Sequence, residues 1–121
     1  MVGRWAAVVG LAVAVVGLGG GCRPAQSQES AQGKALFESV CARCHGREGR
    51  GGVAQGPGTP APRDFTDATF QRTRTDAQIR ETIVHGRAGG AMPPFGTAFT
   101  AEELDALVQQ VRAFGAPQER R

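Results

Sequence analysis

The chain has no tyrosine, and its one tryptophan, Trp5, falls among the first five residues. Past that point phenylalanine supplies all the large aromatic rings, so no phenol O–H or indole N–H is available to a polar ligand. Charge of one sign is missing in bulk. Fourteen basic residues stand against 11 acidic ones, a formal net charge of +3. The basic residues are almost all arginine and are scattered, with no block or stripe, which argues against a nucleic-acid partner. No alternating strand pattern appears between Gly46 and Arg74, and no internal repeat is visible. No apolar run reaches the roughly 20 residues a membrane-spanning helix needs. Cysteine is scarce and odd in number, at three, so simple pairing does not use it up.

The first 21 residues read as an export signal. Arg4 supplies the positive charge, Ala6 to Leu18 is an apolar run of 13 residues, and Gly19, Gly20 and Gly21 precede Cys22. This is the order of a secretory leader. It resembles a bacterial lipoprotein signal, in which the Cys after the small residues is lipidated and becomes the mature N-terminus. Leu18 lies four residues before Cys22, one farther than such signals usually have it. Cleavage near Ala25, or a retained leader acting as an anchor, are the alternatives, and all three export the domain. Without Arg4 the balance is 13 basic to 11 acidic residues, or +2. Residues 22–30 are polar and read as a tether, residues 31–116 as one domain, and residues 117–121 as a C-terminal tail. A domain of that size buries a modest core and gains from a covalent staple.

Three helices are expected. The first starts near Ser30 and runs to about Val40, with Leu36 and Val40 as i,i+4 partners. If it persists, Phe37, Cys41 and Cys44 share a face. The second starts at Thr75, where Gln78 completes a capping box, buries Ile79 and Ile83, and stops at Gly86. The third starts at Thr100 with Glu103 in the same role. It carries Leu104, Leu107, Val108, Val111 and Phe114 at helical spacing and ends at Gly115 and Pro117. Between the first two lies Gly46 to Arg74, rich in glycine and proline. A loop that long in a compact domain needs something to organise it.

Cys41-Ala42-Arg43-Cys44-His45 has the C-x-x-C-H form of a c-type haem attachment site. The spacing follows from the chemistry. Two thiols add to two vinyl groups on one porphyrin edge, and a turn of helix sets the sulfurs at that separation. The next residue then falls under the iron, which makes the His45 imidazole the proximal ligand. A redox dithiol is weaker, because no βαβ pattern surrounds the motif. A zinc site would need a second ligand pair, and Cys22 with His85 is not a sensible one.

A sixth ligand is sought by elimination. Met92 is the only methionine beyond the initiator, and His85 the only other histidine. Met92 lies in Gly89-Gly90-Ala91-Met92-Pro93-Pro94-Phe95-Gly96. The prolines stiffen the backbone and the glycines let it turn against a flat ring. His85 falls in the last turn of the second helix, where an imidazole suits the helix dipole. Met92 is therefore the expected distal ligand.

With Cys41-x-x-Cys44-His45 and the Met92-Pro93-Pro94-Phe95 loop in this order, the chain resembles the class I cytochrome c family in its small bacterial form, over about Gln32 to Gly115. The resemblance implies an all-α fold of three or more helices wrapped around one covalently bound haem, with the N- and C-terminal helices crossing. It implies that Gly33 and Phe37 meet the last helix around Leu107 and Val111, and that Phe114 is the matching aromatic. It puts Pro62-Arg63-Asp64-Phe65 near the haem and makes Pro57 or Pro62 the carbonyl that accepts the proximal histidine N–H. Family members often bond the haem propionates with Trp or Tyr. This chain would use Arg63, Arg72, Arg74 or Arg87.

The expected function is electron transfer, with one haem c cycling between Fe(II) and Fe(III) in an exported, periplasmic protein anchored through lipidated Cys22. Apolar burial by Phe65, Phe70, Ile79, Phe95 and Phe99 would favour the ferrous state, as Met ligation does. Redox proteins, chiefly membrane-bound respiratory components, are the expected partners. The same domain would also serve as the haem-carrying subunit of a larger oxidase, reductase or dehydrogenase complex. A haem sensor or peroxidase-like enzyme lacks support, since no distal His or Arg constellation stands out.

Overall fold

The computed structural model describes residues 25–117. The expected signal segment, Cys22 and residues 118–121 of the tail lie outside the described residues. Helix α1 (Ala25–Leu36) runs directly into a π-helical turn (Phe37–Cys41) and then α2 (Ala42–His45). After a long loop come α3 (Ala68–Thr73), α4 (Asp76–His85) and α5 (Ala101–Ala113). The described residues contain no strand, and the fold is all-α.

Helices α4 and α5 form as their sequences dictate. Thr75 Oγ1 accepts the Gln78 N–H while the Gln78 side chain accepts the Thr75 N–H, and Thr100 and Glu103 do the same at α5. Glu102 and Glu103 in the first turn of α5 and Arg112 in its last turn both complement the helix dipole. Along α5, Leu104, Ala106, Leu107, Val108 and Val111 are buried, and they meet Phe37, Ile79, Ile83 and Phe114 in one core. Each of the larger aliphatic side chains contributes roughly 1.5–3 kcal/mol on burial.

The crossing of α1 and α5 is the most extensive helix contact. Gly33 is buried there, and a Cβ on it would run into the Ala106 carbonyl. Gly33 thus meets α5 at Ala106 and Gln110, next to the expected Leu107 and Val111, which pack in one core with Phe37. Phe37 sits one turn on, its ring centroid 4.8 Å from Phe114 and 6.1 Å from Phe65.

Two features depart from expectation. Helix α1 starts at Ala25, over residues read as tether, and the Ser30 hydroxyl donates to the Ser27 carbonyl inside it instead of capping it. Residues 25–30 hold no proline or glycine, so nothing breaks the helix, and Gln26 to Ser30 are exposed. The other is α3, six residues long, which interrupts the glycine- and proline-rich loop. Asp67 caps it by accepting the Thr69 N–H at 2.8 Å. It is too short to reveal itself by periodicity.

Helix α3 also fastens the loop to α5. Gln71 Nε2 donates to the Phe65 carbonyl at 2.7 Å and to the Val111 carbonyl at 2.9 Å. Arg112 reaches back with Nη1 to the Gln71 carbonyl at 2.9 Å, with Nη2 to the Arg74 carbonyl at 2.5 Å, and with Nε to Asp76 at 2.6 Å. Neither residue was legible as a fastener from sequence.

Candidate functional site

One wall of the site is the segment from the π turn through α2. The Ala42 N–H reaches back five residues to the Phe37 carbonyl, which widens the helix by one residue there. Phe37 points into the core, while Val40, Cys41, Cys44 and His45 line a cavity of about 250 Å³. Cys41 also packs against the core that holds Phe37. Both cysteines are half-buried free thiols. Burial pushes the Cys41 thiol up to about 11, and Cys44 beside it acts in the same direction.

His45 is buried, with its ring stacked on Phe65 at a centroid distance of 4.6 Å. Nδ1 donates to the Arg63 carbonyl at 3.1 Å. That bond places the proton on Nδ1 and leaves the Nε2 lone pair for a ligand. The acceptor is Arg63, not Pro57 or Pro62. Pro62 is its immediate neighbour, and the turn after it aims the next carbonyl at the ring. Burial lowers the His45 pKa, partly opposed by this hydrogen bond, which keeps the imidazole neutral as coordination requires. The backbone is held as well, since the Gly51 N–H donates to the His45 carbonyl at 2.9 Å and the Phe65 N–H to Gly49 at 2.7 Å.

The second wall is the loop between α4 and α5. Gly86 leaves α4 at φ 69°, ψ −160°, a conformation that essentially only glycine adopts. A Cβ there would lie 2.6 Å from the Met92 carbonyl oxygen and 2.8 Å from the Pro93 carbonyl carbon. The chain then folds back on the end of α4. The Arg87 N–H donates to the Met92 carbonyl at 3.2 Å, and Phe95 and Gly96 donate to the Ile83 and Val84 carbonyls at 3.0 and 3.1 Å. Carbonyls left open in the last turn of the helix thus find donors in the loop. Met92 is half-buried and lines the same cavity as Cys41, Cys44 and His45. His85 does not line it. It is exposed, with Nε2 3.2 Å from Glu81.

The rest of the lining is mainly apolar and includes Phe65, Phe70, Ile79, Ile83 and Phe95. Phe99, expected among them, packs against Phe95 from outside at 6.0 Å. Pro62 and Arg63 line the cavity as the resemblance implied. So do Gln78 and Thr82, which sequence reasoning passed over although they flank Ile79 and Ile83 on α4. Arg63, Arg74 and Arg87 line it, whereas Arg72 turns away to the Thr69 hydroxyl at 3.4 Å.

Two thiols at helical spacing, an imidazole with Nε2 free and a thioether, all on one apolar cavity, suit a flat tetrapyrrole joined through its vinyl groups. Among the described residues, no group of three or more His, Cys, Asp or Glu side chains is arranged to hold a bare metal ion.

Comparison with known proteins agrees with this chemistry. Residues 28–109 match the family model described as Cytochrome C oxidase, cbb3-type, subunit III. The chain is 38% identical over 92 residues to the Cbb3-type cytochrome c oxidase subunit CcoP of Rubrivivax gelatinosus, covering 74% of this chain and 28% of that protein. It is 31% identical over 98 residues to the Cbb3-type cytochrome c oxidase subunit FixP of Azorhizobium caulinodans, covering 81% of this chain and 31% of that one. The chain thus spans about a third or less of the length of these curated relatives. Among solved structures, the KustC0563 c-type cytochrome superposes with a TM-score of 0.60 at 38% identity, covering 69% of this chain and 98% of that one. The chain belongs to the cbb3-type cytochrome c oxidase subunit III family, and it is a class I c-type cytochrome, a haem c protein.

Proposed function

We propose that the chain is an electron-transfer protein that carries one haem c, bound covalently through Cys41 and Cys44, with His45 as proximal and Met92 as distal ligand. One observation carries this reading. Both thiols, the imidazole and the only thioether among the described residues line one apolar cavity, and the imidazole is held by the Arg63 carbonyl with Nε2 free. Bound haem c supplies an iron that accepts and returns one electron. The chain's own residues tune that exchange. The Arg63 carbonyl orients His45, the tethered loop holds Met92, and the phenylalanines keep water and charge away, which favours the ferrous form. Optical spectra of the purified protein, oxidised and reduced, test the reading. Sharp c-type bands that remain with the chain through acid or detergent denaturation are expected. A haem that washes out would overturn it.

The relatives named as oxidase subunits favour a second form of this function, in which the domain passes electrons to a cbb3-type or similar membrane-bound respiratory complex. Co-purification with a large membrane complex distinguishes it from a free shuttle. No described helix is long and apolar enough to cross a membrane. We assign membrane attachment to a lipidated Cys22 after export to the periplasm. Two or three acyl chains hold a protein firmly where one does not. Mass spectrometry of the mature N-terminus tests this. A chain that starts at Cys22 with acyl mass supports the anchor, and one that starts near Gln26 means a soluble carrier.

A further inference from the structure

We propose that Phe65 is a positioning residue that sets the plane of the His45 imidazole, and that α5 fixes Phe65 through Gln71. This rests on the haem reading above and concerns how the proximal ligand is aimed. Two contacts hold the imidazole. The first is the Arg63 carbonyl, which takes the Nδ1 proton at 3.1 Å. A carbonyl oxygen accepts over a broad range of directions, so this bond fixes where Nδ1 points more firmly than how the ring is turned. The second is the Phe65 ring, which lies against the face of the imidazole with centroids 4.6 Å apart and planes 21° apart. That is the geometry of a stacked aromatic pair, and a flat wall at that distance stops the imidazole from turning.

The wall works only if it stays still, and Phe65 is held on several sides. Its ring is boxed by Phe70, Phe37 and Phe114, with centroids at 5.5, 6.1 and 6.2 Å. Its N–H donates to the Gly49 carbonyl at 2.7 Å, and its carbonyl accepts from Gln71 Nε2 at 2.7 Å. The same Gln71 nitrogen reaches the Val111 carbonyl at 2.9 Å, and Arg112 Nη1 donates to Gln71 Oε1 at 3.1 Å. Both ends of the Gln71 amide are therefore tied to the last turn of α5. A Cβ on Gly115 would lie 2.5 Å from Gln71 Cγ, so glycine at that position leaves room for the tie. A line of contacts thus runs from α5 through Gln71 and Phe65 to the proximal imidazole.

The plane of an axial imidazole matters because it sets the direction in which the unpaired spin of a ferric haem spreads over the porphyrin. Groups that orient a ligand from behind tune the metal without touching it. Phe70 lines the same cavity and packs on Phe65, but among the described residues the ring stacked on His45 is Phe65.

The test uses the full-length, haem-loaded protein. Phe65→Leu keeps an apolar side chain and removes the flat face. It should reorder the haem-methyl proton shifts of the ferric protein and change the spread of its electron paramagnetic resonance g-values. The ring-shifted methyl signal of Met92 in the ferrous protein should stay in place. Phe65→Tyr keeps the ring and should restore the wild-type pattern. Phe70→Leu removes a ring from the same cavity and should leave the pattern unchanged. Gln71→Leu cuts the tie to α5 and should shift the pattern as Phe65→Leu does, by less. The inference is overturned if Phe65→Leu keeps the wild-type pattern, if Phe70→Leu alters it as much, if Phe65→Tyr does not restore it, or if the Met92 signal moves with it. Its α5 half is overturned if Gln71→Leu matches wild type. The unaltered protein carries the test where a variant does not fold. Nuclear Overhauser cross-peaks between the His45 and Phe65 ring protons are expected in the ferrous form, and their absence overturns the inference. A wild-type chain without covalent haem would instead sink the function itself, before any residue is changed.

Discussion

The two walls of the cavity are built by different means. The Cys41–His45 wall is part of a continuous helical segment whose inner face is core, with Phe37 and His45 both buried. The Met92 wall is an irregular loop with Ala91, Pro93 and Pro94 exposed, held by backbone hydrogen bonds to itself and to α4. The first is fixed by burial, so disturbing it disturbs the domain. The second is fixed by backbone conformation at a few positions, so it can fail while the domain stands. Local opening draws on segments with few buried contacts, and the Met92 loop is such a segment.

The largest effect should come from the first wall. Replacing Cys41 and Cys44 together with alanine should abolish covalent attachment and largely prevent folding, because the cavity would be left without its contents in a domain with a modest core. Haem staining after denaturing electrophoresis and circular dichroism check this. A stable, folded, haem-free double variant would erase the contrast between the walls. Met92→Ala should act on the second wall alone. The weak sulfur-to-iron band at the red end of the visible spectrum should vanish, the potential should fall, and ferrous protein should bind carbon monoxide while its helical signal persists. His85→Ala should leave the band in place.

A pair of glycines sharpens the comparison further. Gly86 and Gly89 both have positive φ, 69° and 71°. A Cβ at Gly89 meets nothing within 4 Å, whereas one at Gly86 meets the Met92–Pro94 backbone. Gly89→Ala should therefore show only conformational strain, about 1 kcal/mol. Gly86→Ala adds a clash that the loop relieves only by moving Met92, for a total of roughly 2–3 kcal/mol. Denaturant unfolding measures the difference, and the sulfur-to-iron band should weaken in Gly86→Ala alone.

The same division explains how much was legible in the sequence. Helices α4 and α5 were readable because cap, apolar spacing and stop signal agree within each. Cys41, Cys44, His45 and Met92 stood out by rare chemistry and informative neighbours, and the fold brings all four to one cavity. What escaped was set by distant partners or by phase. The π turn looks like ordinary helix in composition, and only packing of Phe37 against Phe114 shows which way each residue turns. The Arg63 carbonyl was invisible because any residue has a carbonyl, and the glycine- and proline-rich loop decides which one reaches His45. Gln71 and Arg112 look like surface residues until α3 and α5 come together.

The smallest expected effect lies in the turn that presents that carbonyl. Asp64 follows Arg63, and its Oδ1 accepts the Thr66 N–H at 2.8 Å and the Thr66 hydroxyl at 2.7 Å. The Thr66 hydroxyl is the main reason the Asp64 carboxyl is held below its ordinary value, with the Thr66 N–H and the Arg50 charge adding to it. A carboxyl lowered on folding contributes stability above its unfolded value of about 3.9, and that contribution is lost as pH falls through the lower folded value. The carboxylate is close to solvent, so the effect should stay within about 0.5 kcal/mol. Denaturant unfolding of wild type and Asp64→Asn should therefore converge as pH falls through the lowered folded value and separate slightly by pH 6, with wild type the more stable. Asp64 and Thr66 do not line the cavity, so the sulfur-to-iron band expected from Met92 should be the same in both proteins across that range. If it fades in Asp64→Asn while stability is unchanged, the two walls are coupled through the bound group, and their separate construction does not give them separate behaviour.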